Sequence, residues 1–220
     1  MIRIDMQFFG GRGSSSSGGW TGGGGLDGGS IISTTEMVVE RGNKMAEVDD
    51  VLSVSRDIYD EYGITVDELQ IATLDAKGAS VMAYYDGSNI AVNERYFDKA
   101  KMEASYKACV ESGFHPSSGN KTGMQATAAH EFGHQLTDAC GAKMGIKGID
   151  ASAKAIVEEA RKKTKYKSAA KMASRISGYA KSSPAEAIAE AFCDVYCNGK
   201  KARSESRAIV DVLDKYLKNK

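Results

Sequence analysis

The chain has 220 residues, is 42% hydrophobic and carries 29 basic and 29 acidic side chains, for a formal net charge of zero. That length suits one ordinary domain plus a tail, and that apolar fraction can support a real core. The charge balance lacks the basic excess of a nucleic-acid-binding protein, and no run approaches the ~18 apolar residues of a membrane span, so neither nucleic acid nor membrane insertion is expected.

Met1 to Phe9 is too short and too interrupted for the apolar region of a signal peptide. This predicts residence in the cytoplasm, or release with a virion or by a specialised route. Residues 10–30 are rich in Gly and Ser, with Trp20 among them. Such a segment buries too little apolar surface to offset its ordering entropy. The expected organisation is therefore a flexible tail over 1–30 and one folded domain over 31–220.

Met45, Val48, Val51, Leu52, Val54 and Ile58 recur at helical spacing and predict an amphipathic helix over 45–61, ended by Gly63. Residues 64–74 read as a short strand. Ser80–Tyr85 and Asn89–Asn93 flank Asp86-Gly87-Ser88, a hairpin signal. A helix is expected over 96–112, then a loop holding His115, which reads as a surface histidine. Thr122 and Gln125 fit a capping box, so the next helix starts near Thr122 and ends by Gly141 to Gly145. Residues 151–177 read as one long or two short helices, and 183–198 and 204–217 as two more. The expected class is α+β: a mostly helical domain with a small antiparallel sheet. Cys109, Cys140, Cys193 and Cys197 read as small buried thiols, with no dense secreted disulfide pattern. No feature fixes an oligomeric state.

Inside the helix that starts near Thr122 lies His130-Glu131-Phe132-Gly133-His134, an H-E-x-x-H pattern. Positions i and i+4 share a helical face, so both imidazoles aim at one point, as two ligands of Zn²⁺ do. Glu131 can reach a water there without binding the ion. A catalytic zinc needs a third protein ligand. The helix over 183–198 offers Glu186, Glu190 and Asp194 at four-residue spacing, beside Ala187, Ala191 and Cys193, small residues that suit close approach to another element. Spacing alone leaves two choices. Glu186 could be the ligand, or it could only complete the Ser183-Pro184 helix start. In the second case Glu190 is the ligand and Asp194 stands behind it, a thermolysin-like pattern.

The run Ser177-Gly178-Tyr179-Ala180, followed by Glu186, Glu190, Ala191 and Phe192 and preceded by His130 to His134, resembles the catalytic domain of anthrax lethal factor and related zincin toxins. The resemblance covers roughly 120–200. It implies a zincin-like fold, with His130, His134 and Glu186 as zinc ligands and Glu131 as general base. It further implies Tyr179 as an electrophilic or general-acid helper and Glu190 as a hydrogen-bonding partner of a ligating histidine. The implied activity is a zinc-dependent endopeptidase acting on a protein or peptide substrate, for which the strand near Ser80–Tyr85 is a candidate docking edge. Met6-Gln-Phe-Phe-Gly-Gly-Arg-Gly-Ser14 also resembles the termini of phage minor head proteins, which suits a protease encoded by a phage or mobile element. An idle zincin-fold virion or binding protein, and a toxin-like effector acting as a zinc hydrolase on another substrate, are the alternatives.

Overall fold

The computed structural model describes residues 31–33, 45–72, 74 and 81–218. The tail expected over 1–30 lies outside these residues. The described chain begins with strand β1 (Ile31–Ser33), helix α1 (Met45–Tyr62) and strand β2 (Glu68–Ala72). Val48, Val51, Val54 and Ile58 form the buried face of α1, as their spacing predicts. Gly63, at φ +67°, takes the left-handed conformation that ends it.

Strands β3 (Ala83–Tyr85) and β4 (Ile90–Asn93) form the predicted hairpin across Asp86–Asn89, paired antiparallel. The sheet as a whole is mixed rather than antiparallel. Its order is β1-β2-β4-β3, and β2 runs parallel to β4. The reason lies in β4, whose four residues are all buried. A strand buried throughout needs a neighbour on each side, so β4 inserts between β2 and β3 and leaves β3 at the edge.

Seven helices are described in total. After α1 come α2 (Lys99–Glu111), α3 (Gly123–Lys143), α4 (Ile149–Lys162), α5 (Ala169–Ala173), α6 (Pro184–Asn198) and α7 (Ser204–Leu217). The expected stretch over 151–177 thus resolves into two helices, α4 and α5. At the start of α3, Thr122 Oγ1 accepts from the Gln125 N–H, and the Gln125 side chain accepts from the Thr122 N–H. The helix includes Cys140 and ends at Lys143, between Gly141 and Gly145 as expected. No helix of the described residues is long and apolar enough to cross a membrane.

Helix α3 is the centre of the domain. It is buried from Gly123 to Thr137 except at Gln125, and it packs against α1, α2, α4, α6, α7 and β3. Burying Phe132 and Leu136 supplies about 1.5–3 kcal/mol each. That outweighs the roughly 1 kcal/mol a glycine costs a helix interior, so Gly133 is tolerated there. Gly133 has a further use. A Cβ at this position would lie 2.7 Å from the Ala189 Cα. The missing side chain lets α6 approach α3 backbone to backbone, with Ala185, Ala187, Ala189 and Ala191 all buried along α6. This close packing sets the spacing of the site.

Candidate metal centre

His130 and His134 project from one face of α3, and Glu186 faces them from the first turn of α6. Ligand atoms of these three buried residues all lie within 4.8 Å of one another. The Glu186 Oε2 is 3.1 Å from His130 Nε2 and 3.5 Å from His134 Nε2. Bonds of about 2.0–2.2 Å at a tetrahedral angle separate ligand atoms by roughly 3.3–3.6 Å, so the donor set fits a small divalent cation. A second observation agrees: both carboxylate oxygens of Glu186 are buried and receive no directed hydrogen bond. Buried carboxylates without donors are costly, and a cation resolves that cost.

The structure separates the two readings of the acidic helix. Ser183 does cap α6, its Oγ accepting from the Glu186 N–H at 3.1 Å. The Glu186 side chain, however, turns to the histidines. Glu190 lies on the far side of His130, its Oε1 2.8 Å from the His130 Nδ1. Asp194 takes no part. Its oxygens accept from Asn198 Nδ2, from the Arg203 N–H and from Ser206 Oγ, tying α6 to the start of α7. The Glu190–Asp194 arrangement of a thermolysin-like site is therefore not formed.

His115 overturns the expectation of a surface histidine. It is 3% exposed, and its Nδ1 lies 2.9 Å from the same Glu190 Oε1. Pairing with the turn before α6 draws its loop inward: the Gly178 N–H donates to Gly113 O at 2.8 Å and the Tyr179 N–H to Phe114 O at 3.0 Å. The His115 ring stacks on Tyr106, with centroids 5.5 Å apart and planes 7° apart. Ser177, also unforeseen, donates to Glu190 Oε2 at 2.6 Å. One sequence signal was at hand. The chain has three histidines, and all three converge here. Tyr179 sits in a short 3-10 turn with its ring stacked near His130, at 5.8 Å and 24°.

Charge at the site is strongly coupled. Burial opposes the His130 cation, but the Glu186 and Glu190 carboxylates outweigh burial and hold its pKa up at about 10. Burial likewise works against ionised Glu186 and Glu190, yet their histidine partners prevail and both pKa values are lowered. A divalent ion answers the same demand for positive charge. Glu131 differs. It too is buried, and burial raises its pKa despite the nearby histidines. The Tyr85 backbone hydrogen-bonds to it, while its Oε1 has no protein hydrogen-bond partner. The four cysteines are free and buried, as expected of packing thiols.

No protein-family model matches the chain, and neither a curated protein nor a solved structure matches it.

Proposed function

We propose that this chain is a zinc-dependent endopeptidase with His130, His134 and Glu186 as the zinc ligands. The observation that carries the reading is Glu131: a buried carboxylate, raised in pKa, with one oxygen lacking any protein donor, next to a three-ligand cluster. A zinc ion held there supplies Lewis acidity, lowering the pKa of a water toward ~7 and polarising a scissile carbonyl. Glu131 Oε1 takes a proton from the attacking water and later delivers it to the leaving amine. Tyr179 donates a hydrogen bond to the developing oxyanion from beside His130. Glu190 holds the His130 proton at Nδ1, which keeps the Nε2 lone pair turned to the cluster.

The extended substrate pairs with β3. That strand is at the edge of the sheet, and its Tyr85 backbone already reaches Glu131. A peptide bond aligned along it passes the base. An idle binding scaffold has no use for a buried acid whose ionisation works against stability, which favours the enzyme.

The test is metal content and peptide cleavage measured together. The wild type is expected to carry about one zinc per chain and to cleave members of a quenched-fluorescent peptide library. Glu131→Gln should keep the zinc and lose cleavage by about 10²–10⁴-fold. Glu186→Gln should lose the zinc. A wild type that takes up no zinc at neutral pH would end the reading.

A further inference from the structure

We infer that His115 is a positioning residue for the metal centre: it and Ser177 clamp the Glu190 carboxylate, and through it fix the tautomer and aim of His130. The inference rests on the metal-centre reading above and adds to it a residue that the H-E-x-x-H motif does not contain.

Glu190 Oε1 lies 2.9 Å from His115 Nδ1 and 2.8 Å from His130 Nδ1, and Oε2 accepts from Ser177 Oγ at 2.6 Å. An ionised carboxylate only accepts, so both imidazole nitrogens that face it carry protons. The proton that His130 keeps when a cation displaces the other is therefore the one on Nδ1, which leaves the Nε2 lone pair to the cation. With His130 as its only donor, a carboxylate on a helical side chain could swing about that single bond. The second imidazole and the serine hydroxyl remove that freedom by fixing both oxygens from two other segments.

His115 is itself held firmly. Its ring is sandwiched between groups of known position. Tyr106 stacks on it, Phe114 meets it edge-on at 4.9 Å, and Tyr179 meets it edge-on at 5.7 Å. The Tyr106 hydroxyl donates to Pro116 O at 3.1 Å, which anchors the loop on its other side. The same loop carries Phe114, whose ring lies 4.9 Å from that of Tyr179 and whose carbonyl accepts the Tyr179 N–H. One loop therefore supports both the carboxylate behind a ligand and the turn that bears Tyr179.

The experiment compares zinc affinity in wild type, H115F and H115N by competition with a chromogenic chelator, alongside the melting temperature of each metal-free protein. It adds the imidazole ¹⁵N spectrum of the wild type, which has only three histidines to resolve. H115F keeps a ring for the Tyr106 stack and removes the donor. H115N restores an N–H near the position of Nδ1. The expected result is a 10–100-fold loss of zinc affinity in H115F and recovery to within about threefold of wild type in H115N. The spectrum should show His115 and His130 both protonated at Nδ1. If H115F binds zinc as tightly as wild type and differs only in melting temperature, His115 is a packing residue and the inference is overturned. A wild-type spectrum with a His115 proton on Nε2 and none on Nδ1 overturns it too, and needs no variant to fold. A wild type that binds no zinc removes the metal-centre reading itself, and this inference with it, so the two failures are distinct.

Discussion

Two buried glutamates at the site should respond to pH with opposite signs. Burial raises the pKa of Glu131, so the folded chain binds its proton more readily than the unfolded chain. Stability is then reduced once the pH exceeds the unfolded value, and the penalty disappears as the acid is protonated. With metal removed by a chelator, Glu131→Gln should melt higher than wild type at pH 7, and the gap should close toward pH 4. A variant that melts no higher than wild type at pH 7 would mean that the carboxylate is not strained there. Glu190 runs the other way. Burial opposes its charge, but His115 and His130 hold its pKa down to about 2 from the ordinary 4.5. Its contribution, on the order of 3 kcal/mol, is present above the unfolded value and lost as the pH falls through the folded one. Metal-free Glu190→Gln should therefore melt well below wild type at pH 7 and approach it only near pH 2. The same residue pair shows what sequence could and could not reveal. His130, Glu131 and His134 stand out because one helical repeat carries them. The choice between Glu186 and Glu190 could not be read from spacing, since both lie on one stripe of α6. His115 was hidden because a lone polar residue in a Pro/Ser/Gly loop carries no periodicity; what buries it is pairing with residues 178 and 179, far along the chain.

Among the elements, the α3–α6 contact determines whether the proposed ligands meet at all. Gly133→Ala tests this directly. The added Cβ would sit 2.7 Å from a backbone atom, which cannot move aside as a flexible side chain can. The helices must separate, at a cost of about 1–3 kcal/mol typical of overpacking. Alanine's better helix propensity, worth roughly 1 kcal/mol, offsets part of this. Denaturant unfolding should show a net loss, and zinc competition a weaker site. Undiminished zinc affinity in Gly133→Ala would show that ligand spacing does not depend on the close approach. The helices themselves were legible because each carries local signals: the Thr122–Gln125 cap, the Ser183-Pro184 start, the apolar face of α7. The sheet was legible only in part. The Asp86-Gly87-Ser88 turn marks the hairpin, but nothing local states whether β3 or β4 faces β2. Burial of all four β4 residues decides it, and that is a property of the assembled core.

For the molecule as a whole, the proposed metal would join its two most buried helices, α3 and α6, and stability should report that link. A ligand that binds only the folded state adds about 2.7 kcal/mol at a hundredfold excess over its dissociation constant. At roughly 2–4 °C per kcal/mol for a domain of this size, saturating zinc should raise the melting temperature by about 5–10 °C. A shift of that kind could also reflect general tightening of α6, and Asp194 separates the two causes. Its carboxylate is buried and holds the Arg203 N–H, the Ser206 hydroxyl and the Asn198 amide, yet it touches none of the proposed ligands. Asp194→Ala leaves those donors unmet and should lower the melting temperature with and without metal, by about 1–3 kcal/mol in stability. Because the α3 end of α6 is unchanged, the zinc-induced rise should stay as large as in wild type. Glu186→Gln should do the reverse, with its zinc-induced rise abolished. If Asp194→Ala also loses the zinc-induced rise, α6 behaves as one lever from Glu186 to Asn198, and the ligand position depends on its anchoring to α7 as much as on its contact with α3.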